Sequence, residues 1–124
     1  MNLVDSCGWL EFFADGPNAA FFARPIEDLE KLLVPTICIL EVFKRVCAQR
    51  GEAAALQAAA HMQEGRVVPL DVTTALNAAR ISSELNLPLA DSVILAAAQI
   101  HGATVWTQDA DFEGIPGVRY RPKK

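Results

Sequence analysis

Apolar residues along this chain switch repeatedly between two spacings. Short runs at Met1–Val4, Leu32-Leu33-Val34, Arg66–Leu70, Ala103–Thr107 and Val118–Tyr120 are continuous or alternate as strands do, and between them apolar positions recur at helical intervals. The first strand closes at Asp5-Ser6, either of which can cap a helix through Cys7–Ala14. Asp15-Gly16-Pro17-Asn18 is a stop, and a second helical piece over Asn18–Ala23 is expected to end before Pro25, with Ile26–Lys31 charged and mixed.

Pro35-Thr36 ends one strand and starts a helix that runs through Gln49 and halts at Arg50-Gly51. An alanine-dominated helix over Glu52–Gln63 follows, ended by Gly65. After the strand Arg66–Leu70, a helix from Asp71 or Thr73 to Leu85 is predicted. Another runs over Leu89–Ile100, with Pro88 where a first-turn proline is tolerated and His101-Gly102 as its stop. Asp109–Gly117 reads as a loop. Helices alternating with short apolar strands predict an α/β fold with a mainly parallel central sheet of about five short strands and helices on both faces. At 124 residues the chain has room for a single domain over 1–124.

Composition narrows the class. With 52% hydrophobic and 21% charged residues the chain is too apolar to be disordered. Its most apolar stretches, around 32–43 and 93–100, are broken by Pro35, Glu41, Asp91 and Gln99, so none reaches the ~20 residues of a membrane span. No basic region precedes the apolar N-terminus, so no signal peptide is visible and a cytoplasmic location is expected. Cys7, Cys38 and Cys47 are odd in number and widely spaced, unlike a disulfide framework or zinc site, and read as small core residues. His61 and His101 fall in no ligand-spaced motif and read as surface or helix-end residues.

The net charge of −4 argues at first against a polyanionic partner. Its distribution alters that. Setting five candidate acids aside leaves 10 of the 15 acidic residues against 11 basic ones, and Arg119, Arg121, Lys123 and Lys124 crowd the C-terminus.

Those five acids are Asp5, Glu41, Asp91, Asp109 and Asp111. Asp5 and Asp109 follow strands, where open α/β sheets place their ligand crevice, although a helix cap explains Asp5 equally well. Glu41 sits within Ile37-Cys38-Ile39-Leu40-Glu41-Val42-Phe43, a run with little other polarity, and an ion pair with Lys44 or Arg45 is the alternative reading. Asp91 stands in the first turn of a helix that is apolar on almost all sides; the helix dipole accounts for its position but not for its surroundings. Asp109 and Asp111, two residues apart after a strand, fit a solvated turn as well as a site. Together the acids fit one crevice, and closely held carboxylates stay ionised only with a compensating cation, for which Mg²⁺ or Mn²⁺ is suited.

At Leu3-Val4-Asp5-Ser6, Thr36 with Leu40-Glu41-Val42, Leu89-Ala90-Asp91-Ser92-Val93-Ile94 and Thr107-Gln108-Asp109-Ala110-Asp111-Phe112, the sequence resembles the PIN-domain nucleases, and among them the VapC-type toxins of toxin–antitoxin pairs. The resemblance implies a PIN fold and Mg²⁺-dependent cleavage of RNA. It matches Asp5, Glu41, Asp91 and Asp109 to the family's acidic quartet, Asp111 to a less constant fifth acid, and Ser6 and Thr107 to small polar positions beside the metal. It also implies a cognate antitoxin in the groove, a toxin homodimer and higher hetero-oligomers with the antitoxin.

On this reading Asp5, Asp91 and Asp109 ligate the metal directly, while Glu41 and Asp111 act through water or complete a second site. Lys44, Arg45, Arg50, Arg80 and the basic tail are candidates to grip RNA. The pairs Phe12-Phe13 and Phe21-Phe22 offer more aromatic surface than one side of each helix can bury and are candidates for a partner clip. Two other functions remain open on sequence alone: phosphoryl transfer to an aspartate, and a non-catalytic module binding metal or peptide.

Overall fold

A computed structural model describes residues 1–124 and shows five parallel strands in the order β3-β2-β1-β4-β5. The strands are β1 (Asn2–Val4), β2 (Leu32–Pro35), β3 (Arg66–Val68), β4 (Thr104–Thr107) and β5 (Val118–Tyr120), and the helices are α1 (Ser6–Phe13), α2 (Ala19–Glu27), α3 (Thr36–Arg50), α4 (Glu52–Met62), α5 (Val72–Leu85) and α6 (Leu89–His101). Helix pairs connect β1 to β2, β2 to β3 and β3 to β4. The first two connections step outward from β1 and the third runs back past it. Right-handed crossovers therefore put the outward and returning pairs on opposite faces.

This order makes the gap between β1 and β4 the switch point, the place where open parallel sheets form their crevice. The two strands pair from Asn2 opposite Thr104 to Val4 opposite Trp106, and Asp5 N donates to Trp106 O at 3.0 Å. Asp5 and Asp109 thus leave the sheet on either side of that gap.

The core explains why such short strands suffice. Leu3, Val4, Leu32, Leu33, Val34 and Val105 are fully buried between Trp9, Phe22, Ile26 and Val42 of the outward helices and Ile94, Leu95 and Ala96 of α6. Gly8 allows close approach of α1: a Cβ there would lie 2.6 Å from the Phe22 ring and 2.7 Å from Val4.

Helix α2 continues through Pro25 to Glu27, past the expected stop. Proline removes one helical donor, but Phe21, Phe22, Pro25 and Ile26 are all buried, and packing outweighs the local penalty. That burial also removes Phe21 and Phe22 from the expected exposed clip; only Phe12 and Phe13 stay half-exposed. Helix α6 is buried over Ile94–Ala98, but in its first turn Leu89 is 71% exposed and Asp91 half-buried, so the helix is less enclosed at its start than its apolar run suggests. No helix is long and apolar enough to cross a membrane.

Candidate metal centre

Asp5 occupies the N-cap of α1 as well as the crevice, so the two readings of this residue hold together. Its carboxylate accepts from Ser6 N at 2.7 Å, from Thr107 Oγ1 at 2.8 Å and from the Cys7 thiol at 3.2 Å. It is only 3% exposed, and burial raises its pKa; the three hydrogen bonds oppose that shift and the Asp109 charge adds to it.

Thr107, the last residue of β4, is fully buried and serves both sides of the switch point. Its hydroxyl donates to Asp5 and accepts from Asp109 N at 2.9 Å. Asp109 in turn accepts from Asp111 N at 2.9 Å, which shapes the short turn Ala110–Phe112, and the buried Phe112 ring anchors it.

Asp91, Asp109 and Asp111 place carboxylate oxygens within 4.8 Å of one another. Asp91 is pushed up to about 7, first by burial and then by the charges of Asp5, Asp109, Asp111 and Glu41. One group feeling four others is the electrostatic mark of a shared site, and a divalent cation relieves such repulsion. Hard oxygen donors without a histidine suit Mg²⁺, Mn²⁺ or Ca²⁺ better than a softer ion.

Glu41, on α3, accepts at Oε1 from Ser6 Oγ at 2.7 Å. Its observed partner is the hydroxyl of α1, while Lys44 and Arg45 line the same cleft from farther along α3. That cleft, about 520 Å³, also contains Asp5, Asp91 and Asp109. The structure therefore brings Asp5, Glu41, Asp91 and Asp109 to one cavity with Ser6, and Asp111 to its rim, where it is exposed. Arg80 is exposed on α5 and turned to Asn77, and Arg119 and Arg121 stack on the Trp106 and Phe21 rings at 4.4 and 4.5 Å.

Two site residues escape a reading by sequence. Cys7 is no mere core filler: it donates to Asp5, lies 3.4 Å from Thr107 Oγ1, and its thiol is pushed up to about 12 by burial and by the Asp5 charge. Its place two residues past the capping acid was the available signal. Gln108, buried beside the site, gave none. His61 stands in the last turn of α4, a helix end as expected, and packs there against Trp9, Phe12 and Phe13, with centroids 5.5–6.2 Å away. Cys38 is buried as expected.

A parallel α/β sheet with acids converging on its switch point is an architecture able to hold a divalent cation in its crevice. Residues 3–118 match the family model described as PIN domain, and the chain belongs to that family. Comparison with curated protein sequences returns no match. Among solved structures, a toxin–antitoxin complex from Klebsiella pneumoniae is similar at TM-score 0.81 and 23% identity, covering 96% of each chain. VapC20 of Mycobacterium tuberculosis, described as a sarcin-ricin loop cleaving toxin, aligns at TM-score 0.76 and 17% identity over 94% of this chain and 95% of its own. FitAcB from Neisseria gonorrhoeae gives TM-score 0.68 and 26% identity over 97% and 96%.

Proposed function

We propose that this PIN-domain protein is a Mg²⁺-dependent endoribonuclease serving as the toxin of a type II toxin–antitoxin pair in the cytoplasm. The observation that carries the reading is the approach of Asp91, Asp109 and Asp111 to within 4.8 Å beside a buried, hydrogen-bonded Asp5. Asp5, Asp91 and Asp109 would hold Mg²⁺ or Mn²⁺, with Glu41 and Asp111 acting through water or at a second position. Bound there, the ion supplies Lewis acidity and a water that is nucleophilic near neutral pH.

The chain's own residues do the rest. Thr107 and Cys7 hold one Asp5 oxygen and Ser6 N the other, and Ser6 Oγ holds one oxygen of Glu41 so that its second is free to accept a proton from the attacking water. Lys44 and Arg45 face the same cleft and balance phosphate charge. Water adds to phosphorus, the P–O3′ bond breaks, and a 5′-phosphate and a 3′-hydroxyl result. Phosphoryl transfer to an aspartate is less well supported, because Lys44 belongs to the middle of α3 and not to the end of a late strand.

Kinship with toxin–antitoxin complexes supports an antitoxin partner, with half-exposed Phe12 and Phe13 on α1 as contacts. Val72, Leu76 and Leu89, 75%, 63% and 71% exposed on neighbouring α5 and α6, support a homodimer face. The test is cleavage of defined RNAs by the purified chain with and without chelator. Activity should need the divalent ion and vanish in Asp5→Asn and Asp91→Asn with folding intact. Unchanged cleavage in both variants, or a 2′,3′-cyclic phosphate product, would overturn the mechanism.

A further inference from the structure

A second cleft, of about 580 Å³, opens beside the carboxylate cleft and shares Cys7, Leu10 and Arg45 with it. Its character is the reverse of its neighbour's. Arg45, Arg50 and Lys123 line it together with His61, and Phe13 lies on its apolar side. Glu11, its one acid, is already engaged: Oε2 accepts from Asn18 N at 2.8 Å.

Lys123 belongs to the C-terminal tail, and that tail is fastened rather than loose. Asn18, 1% exposed, donates from Nδ2 to Pro122 O and to Gln108 Oε1, each at 3.0 Å, and Arg121 N donates to Thr107 O at 3.0 Å. Gln108 stands between Thr107 and Asp109, so one buried amide joins the tail to the loop that carries the site. The Asn18 oxygen has no partner, which is costly for a buried group, so its contribution rests on what Nδ2 holds.

We propose that this second cleft is the track along which single-stranded RNA lies next to the carboxylate site. Lys123, Arg50 and Arg45 meet its phosphates, Phe13 and His61 offer ring surface to a base, and Asn18 is the positioning residue that keeps the tail wall in place. The inference rests on the ribonuclease reading and adds to it where the substrate runs. A strand cut at an acidic, cation-binding cleft still carries phosphates on either side of the cut, and these need positive charge within reach. The second cleft supplies it in direct continuity, in a volume suited to a small ligand and far below that of a duplex.

The test measures anisotropy of a short fluorescent single-stranded RNA in EDTA, which removes cleavage from the readout, and steady-state cleavage in Mg²⁺. Lys123→Gln and Arg50→Gln should each weaken binding about five-fold and lower the salt slope by ~0.7 per lost contact. Asn18→Ala should raise KM with kcat retained, and should add little to Lys123→Gln, because the wall it positions is then already neutral; a purely structural role would give additive losses. If Asn18→Ala melts early, Lys123→Gln and removal of Lys123-Lys124, which disturb no buried group, carry the test.

Wild-type affinity and KM in the Lys123→Gln/Arg50→Gln double variant, while the parent chain cleaves RNA, would overturn the track and leave the ribonuclease reading standing. Loss of affinity for a protein partner alone in that variant, with RNA unchanged, overturns it also. A parent chain that neither binds nor cleaves RNA removes the underlying reading.

Discussion

Ser6 Oγ donates to Glu41 Oε1 at 2.7 Å, tying the first turn of α1 to the middle of α3 across 35 residues of sequence. The adjacent Ser6 N donates to Asp5, so one residue orients two acids of the site through different atoms. Ser6→Ala keeps the backbone bond and loses the hydroxyl. Expected is a stability loss of about 1 kcal/mol or less, with a larger fall in cleavage rate, roughly ten-fold, and little change in KM. Thermal melting paired with single-turnover kinetics separates the two effects. A rate unchanged by the substitution would mean that Glu41 needs no fixed orientation.

Thr107 offers a stricter case, because its hydroxyl both donates to Asp5 and accepts from Asp109 N. Thr107→Val keeps the shape, leaves the part-buried Asp109 N–H without its acceptor and takes from the buried Asp5 oxygen one of its two side-chain donors, Cys7 remaining. The cost should be about 1–3 kcal/mol, with metal affinity reduced as well, whereas Thr107→Ser should retain most of both. Urea titration and calorimetric Mn²⁺ binding provide the check.

Asp91 sets the pH response of the metal-free protein. Its carboxyl is pushed up to about 7, against 3.8 for an unperturbed group. Between those values the folded state holds a proton that the unfolded chain has released. The associated stability is full below the unfolded value and is lost as pH rises through the folded one. Metal-free protein should therefore melt at a lower temperature at pH 8 than at pH 5, and Asp91→Asn should flatten the difference. Divalent ions should bind more tightly as pH rises through 7, with proton release visible in buffers of different ionisation enthalpy.

Gly8 controls how closely α1 sits on the core that holds the site. In Gly8→Ala the new methyl would meet the Phe22 ring and Val4 at under 3 Å, and both are fully buried with little room to yield. A loss of about 1–3 kcal/mol by urea denaturation is expected, with weaker activity because Asp5 and Ser6 move with the helix. Wild-type stability would show that α1 shifts freely, which contradicts its place in the core.

Local patterning placed nearly every element within a residue or two, because strand and helix periods are properties of neighbouring side chains. It failed at Pro25, where a local rule for stopping helices was outweighed by the burial of Phe22 and Ile26, contacts made with distant segments. The acids were legible for a related reason: Glu41 and Asp91 break apolar helical runs, and such a break is visible one segment at a time.

Which acids meet was a different matter. The sequence by itself determined five strands, six helices and acids at strand ends and on otherwise apolar helices. The parallel pairing of β1 with β4, between residues about a hundred positions apart, decided that Asp5 and Asp109 flank one gap. Tertiary packing also decided that Asp91 and Asp111 close on Asp109, that Cys7 and Thr107 serve Asp5, and that Asn18 fastens the tail. Periodicity carries no information about strand order, since order follows from the burial of whole faces; a hydrogen bond across the switch point exists only once that order is set.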